Sequence, residues 1–168
     1  KDVRALRAFA AGRGVAAPLL EAVLAANAAQ VRRAEAMIEA TGKRRVGMVG
    51  ISFKPGTDDL RESPLAELAG RLIRRGLDLR VYDPFVTEAL ANDAPAPGRG
   101  LSEDIGLGQR LVGTIDELIE GSEIVLVGNR YDEAIPPLQA AMGNRPMIDL
   151  ARILPGQRSA GSYEGICW

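Results

Sequence analysis

Two rhythms of apolar residues divide the chain. Over residues 18–40, Leu20, Leu24, Asn27, Val31, Ala34 and Ile38 recur at steps of four, three, four, three and four. That spacing predicts a helix with one apolar seam carrying a single polar residue, Asn27. Pro18 suits a first helical position and Thr41-Gly42 a stop. The seam admits two partners. One is the helix's own domain; the other is a symmetry mate in a homodimer, where an isolated polar group fixes register. Residues 1–42 as a whole are rich in Ala, Leu and Arg and read as a helical segment.

From residue 43 onward, short β-rich runs alternate with helical periods. Residues 45–51 (RVGMVGI) read as a strand buried on both faces. Leu65, Leu68, Ala69, Leu72 and Ile73 mark the apolar face of a helix opened by Ser63-Pro64 and closed by Gly76. Residues 77–82 (LDLRVY) form a second strand ended by Asp83-Pro84, and residues 92–109 form a Pro/Gly-rich surface excursion. Thr114-Ile115-Asp116-Glu117 is a capping box before a further short helix, and residues 123–127 and 146–150 are two more strands. Repeated β-α-β units predict a Rossmann-like α/β fold, a three-layer parallel sheet preceded by the long helix. The expected domains are 1–42, helical, and 43–168, α/β.

Composition narrows the chemistry. The chain has 168 residues, no histidine and one cysteine, Cys167. Disulfide frameworks, clustered zinc ligands and any Ser-His or Cys-His nucleophile pair within it are excluded. No metal site is expected. Net charge is -1, so no global field draws nucleic acid or an anionic membrane. No apolar run approaches a membrane span, and a single thiol fits the reducing cytoplasm. The chain opens Lys1-Asp2-Val3 without an initiator Met, as expected of a fragment or a processed product.

In a doubly wound sheet, ligands bind beyond the carboxyl ends of the strands. The segment after the first strand, SFKPGTDDLRESP over residues 52–64, is long for a βα connection and carries Lys54, Asp58, Asp59, Arg61 and Glu62. It is neither a GxGxxG fingerprint nor a P-loop. Lys54 suits a phosphate as a point charge and Arg61 a phosphate or carboxylate as a fork. The plainer alternative is a solvated loop whose acids pair with Arg61. Ser63 reads as a helix cap, Glu62 as an anion near the helix's positive end, and Asp83 as a turn-former. The basic pairs Arg32-Arg33, Arg44-Arg45 and Arg74-Arg75 read as solvated faces or helix-end charges.

The run GISFKPGTDDLRESP closely resembles the loop that opens the C-terminal domain of the UDP-glucose/GDP-mannose dehydrogenase family. Lys1-Asp2 resembles the end of that family's Cys-x-Pro-Lys-Asp motif. Leu19 to Val23 with Asn27 and Gln30 resembles its long central helix, and Val81-Tyr82-Asp83-Pro84 the end of a strand. TDDLRESP and the closing EGICW are most similar to the GDP-mannose branch, with UDP-glucose or a UDP-N-acetylhexosamine as the alternative substrate. The resemblance implies a cytoplasmic, NAD-dependent, four-electron oxidation of a sugar alcohol to a carboxylate, through a cysteine thioester. The cysteine and the NAD-binding half would lie upstream. It implies Asp2 as a catalytic group and Lys1 and Arg61 as NAD contacts. It also implies Phe53, Lys54 and, by a looser match, Arg152 as sugar-nucleotide contacts, with a homodimer built on the long helix. A non-catalytic nucleotide-binding and dimerisation module is the alternative of another class.

Overall fold

The computed structural model describes residues 2–91 and 106–166. Lys1, Cys167 and most of the expected 92–109 excursion lie outside the described residues. Helix α1 (Asp2–Ala11) leads into α2 (Pro18–Ala40). The break between them is at Gly12 to Ala17, where Gly14 has φ +68. The remaining elements are β1 (Arg45–Val49), α3 (Pro64–Arg74), β2 (Asp78–Tyr82), α4 (Pro84–Ala91), α5 (Ile115–Gly121), β3 (Ile124–Val127), α6 (Ile135–Ala141), β4 (Met147–Asp149) and β5 (Tyr163–Gly165).

The five strands pair in parallel in the order β2-β1-β3-β4-β5. The chain leaves β1 towards β2 and then crosses to β3 on the other side. The crevice where the strand order reverses therefore opens between the C-terminal ends of β1 and β3. Residues 110–112 lie along the outer edge of β2, where Val81 N–H donates to the Arg110 carbonyl at 2.8 Å and Val112 N–H to the Val81 carbonyl at 2.9 Å. This contact occupies backbone groups of an otherwise open edge.

Two apolar layers enclose the sheet. On one face Val46, Met48, Leu79, Ile124 and Leu126 meet Leu68 and Leu72 of α3 and Val31, Ala34 and Ile38 of α2. On the other, Val49, Val125, Val127 and Met147 meet Leu118 of α5 and Leu138 of α6. The C-terminal half of the α2 seam is thus filled by the chain's own sheet and α3. The N-terminal half is only partly covered: Leu20 and Leu24 are half-buried and Asn27 is exposed, and Leu19, beside the seam, is 74% exposed. No homodimer contact follows from the buried half of the seam.

Glu35, buried on α2, joins α2 to α3 by accepting from Arg71 at 2.8 Å and Arg75 at 2.7 Å. Arg75, a charge at the end of α3 as expected and half exposed, also pairs with Glu39 at 2.9 Å and so ties two helices together. The capping box forms: Glu117 N–H donates to Thr114 Oγ1 at 3.2 Å, while the Glu117 carboxylate accepts from Gly113 N–H at 3.2 Å. Strand β5 and helices α4 and α6 go beyond the sequence expectation. Each spans eight residues or fewer, too short for a period to show.

Candidate functional site

The segment between β1 and α3 is held by bonds from the ends of two neighbouring strands and from the cap of α3. Gly50 has φ +82, and a Cβ there would lie 2.4 Å from Asn129 Cβ, so only glycine fits this departure from β1. Asp83, fully buried at the end of β2, accepts Ile51 N–H at 3.0 Å and Ser52 N–H at 3.2 Å through one oxygen. Its other oxygen accepts Val86 N–H at 3.3 Å, capping α4. Asn129, just past β3, donates its amide to the Ser52 carbonyl at 3.2 Å and to Ser52 Oγ at 3.1 Å. Ser63 donates to the Ile51 carbonyl at 2.7 Å and accepts Ala66 N–H at 3.3 Å, so the expected cap of α3 also closes the loop.

Beyond Ser52 the loop bulges into solvent. Ser52 Oγ and Thr57 Oγ1 both donate to the Lys54 carbonyl at 2.9 Å, and Phe53 N–H donates to the Asp59 carbonyl at 2.8 Å. These bonds fix the backbone of Lys54 while its side chain stays exposed. Arg61 forms a fork with Asp59, Nε to Oδ1 at 2.9 Å and Nη2 to Oδ2 at 3.0 Å. The hydrogen bonds and charge of Asp59 raise the Arg61 pKa further above its ordinary value. The acid–base pairing expected of a plain loop is therefore realised between Asp59 and Arg61.

One cleft, about 290 Å³, opens between this loop and the two N-terminal helices. Asp2 and Arg4 of α1, Asn27 of α2, Phe53 and Glu62 of the loop, and Glu67 of α3 line it. Asp2 and Phe53, far apart in the chain, thus face one space; Lys54, the next residue after Phe53, is exposed and does not line it. Arg152 does not line this cleft. It follows β4 at φ +53, in a turn where Asp149 accepts Ala151 N–H and Ile153 N–H, both at 2.9 Å. Lys1 lies outside the described residues. Arg4, Asn129 and Glu67 carry no sequence signal of a role here; their part depends on tertiary placement alone.

A second, open cleft of about 490 Å³ lies at the carboxyl ends of β1, β2 and β3, between Pro55-Gly56, Phe85 and Tyr131. The Tyr131 hydroxyl is buried and, among the described residues, has no hydrogen-bond partner of good geometry. Burial first, and then the nearby Asp83 charge, pushes its pKa well above the usual tyrosine range. A dinucleotide does not fit this edge in the usual way. No glycine-rich turn follows β1, and Asp83, where a ribose-binding acid would stand, is saturated by backbone N–H groups. Among the described residues no cluster of three or more His, Cys, Asp or Glu could hold a metal ion, and no helix is long and apolar enough to cross a membrane.

A parallel sheet of this order, with a clamped polar loop after its first strand, is a doubly wound α/β domain whose ligand edge lies at the carboxyl ends of its strands. The chain belongs to the UDP-glucose/GDP-mannose dehydrogenase family: residues 47–155 match that family's UDP binding domain. It is similar to the GDP-mannose 6-dehydrogenase of Azotobacter vinelandii, with 38% identity over all of this chain and 38% of the relative's length. Among solved structures it is similar to a ternary complex of GDP-mannose dehydrogenase from Pseudomonas aeruginosa. That likeness has TM-score 0.87 and 35% identity, covering 99% of this chain and 38% of the other. A UDP-glucose dehydrogenase from Pyrobaculum islandicum follows at TM-score 0.72 and 28% identity, covering 99% and 36%. The chain therefore spans less than half the length of the relatives it matches.

Proposed function

We propose that this chain is the sugar-nucleotide-binding part of a cytoplasmic, NAD-dependent nucleotide-sugar 6-dehydrogenase that oxidises GDP-mannose to GDP-mannuronate. The observation that carries this reading is the shared cleft of Asp2 and Phe53, with the exposed Lys54 next after Phe53 in the loop. In it, Phe53 offers an apolar wall to the sugar, and Lys54 meets a phosphate or sugar oxygen as a mobile cation on a fixed backbone. Asp2, in the same cleft, is assigned as the carboxylate that takes a proton from the reacting thiol or the hydrolytic water. Greater likeness to the GDP-mannose enzymes than to the UDP-glucose enzyme supports GDP-mannose as substrate.

NAD is bound mainly outside this chain in this reading, since the ligand edge of the sheet does not suit it. Arg61 and Lys1 are assigned to NAD contacts, and Arg152, in the turn after β4, to the sugar nucleotide. Residues 1–42 form the helical segment that joins the two halves and builds a homodimer. Residues 43–168 form the α/β domain.

The test is Lys54→Ala in the complete enzyme. Loss of one charge-assisted contact should raise KM for GDP-mannose by about ten-fold or more. An unchanged KM returns Lys54 to the role of a solvated loop residue.

A further inference from the structure

Glu62 stands at φ +60, one of two non-glycine residues with positive φ among those described. Glycine would take this turn without steric cost, whereas a residue with a Cβ is strained there. Such strain persists where the surroundings impose it and often marks a working position. Here the surroundings are specific. Asp59 holds Arg61 on one side by its backbone N–H at 3.0 Å and by its guanidinium. Ser63 is pinned on the other by its bond to Ile51. Between them, the left-handed residue sends its carboxylate across the cleft to Arg4, with which it forms an ion pair.

Arg4 lies on the first turn of α1, two residues after Asp2. Helix α1 has no buried residue of its own, and its apolar Leu6 and Phe9 are 54% and 56% exposed. A helix held so lightly is sensitive to a single long-range tie. Glu62 lines the same cleft as Asp2 and Phe53. A role as an anion at the start of α3 does not explain why its carboxylate pairs with Arg4.

We propose that Glu62 is a positioning residue: through Arg4 it holds α1, and the Asp2 that α1 carries, opposite Phe53 across the cleft. The strut follows from geometry alone; its use in catalysis rests on the function proposed above. Glu62→Gly removes the carboxylate while relieving the backbone, so the protein stays folded. The paired exchange of Arg4→Glu with Glu62→Arg keeps the attraction and reverses its sense.

The experiment compares amide exchange over residues 2–11 with turnover in the complete protein. In Glu62→Gly, exchange in α1 should quicken by about an order of magnitude while α3 stays protected. In the same variant kcat should fall by about ten-fold or more with KM for the sugar nucleotide little changed. The paired exchange should restore both. Unchanged exchange in Glu62→Gly, or a paired variant no better than the single ones, overturns the strut. Faster exchange with wild-type kcat overturns the positioning role. If the wild-type protein oxidises no nucleotide sugar but the exchange pattern appears, the strut stands and the functional reading falls.

Discussion

Asp83 accepts the backbone N–H of Ser52 at 3.2 Å, so the end of β2 sets the direction in which the chain leaves β1. The same oxygen takes Ile51 N–H, and the other oxygen caps α4. A single buried carboxylate thus orients the Phe53-Lys54 loop and the helix beside it. Asp83→Ala leaves these buried donors without a partner. It should cost about 2–4 kcal/mol of unfolding free energy, read by urea denaturation. A loss below about 0.5 kcal/mol would mean that other groups or water satisfy those N–H groups.

Gly50 makes the complementary test from the β3 side. A Cβ at Gly50 meets Asn129 Cβ at 2.4 Å on a backbone with φ +82. Gly50→Ala should lower stability by about 2 kcal/mol or more and displace Asn129 from Ser52. Wild-type stability in this variant would show that β1 and β3 approach less closely than described.

Glu35 predicts a pH dependence. Burial alone would raise its pKa, but hydrogen bonds and charge from Arg71 and Arg75 outweigh it, and the net shift is downward. A carboxyl whose folded pKa lies below its unfolded value stabilises the fold above the unfolded value. That stabilisation is lost as pH falls through the folded value. Glu35→Gln should therefore be less stable than wild type at pH 7, by about 1–2 kcal/mol given the partly exposed arginines. The gap between the two proteins should shrink as pH falls through and below the ordinary glutamate range. A gap that persists undiminished in acid would assign the effect to packing.

The two halves of α2 separate folding from assembly. Val31 is buried against the sheet side of the chain, whereas Leu19 is 74% exposed. Val31→Asp places a charge in the core and should lower Tm steeply. Leu19→Glu should leave Tm within a few degrees and, if the exposed half forms the homodimer, give monomers by light scattering. An intact dimer in Leu19→Glu removes that face from the interface.

What the sequence makes legible follows the range of the interactions. Helix α2, the cap at Ser63, the Thr114 box and the first four strands depend on local spacing and capping chemistry, and each stands where its pattern points. The Asp59–Arg61 pair is equally local. Asn129 is different, because its role is a bond to Ser52, 77 positions away. Arg4 and Glu62 are 58 positions apart, and no periodicity joins them. The seam of α2 is legible as an apolar stripe, yet its partner is not: one stripe serves the sheet at Val31 and Ile38 and leaves Asn27 exposed. Strand β5 fails for the opposite reason, since three residues with one exposed at the centre carry too little pattern to read.

The most direct test of the central claim is the yield of NADH from the complete protein, with GDP-mannose and UDP-glucose offered separately. The account predicts two NADH for each GDP-mannose consumed and little from UDP-glucose. NADH from UDP-glucose alone would contradict the substrate assignment, and none from either would contradict the proposed activity.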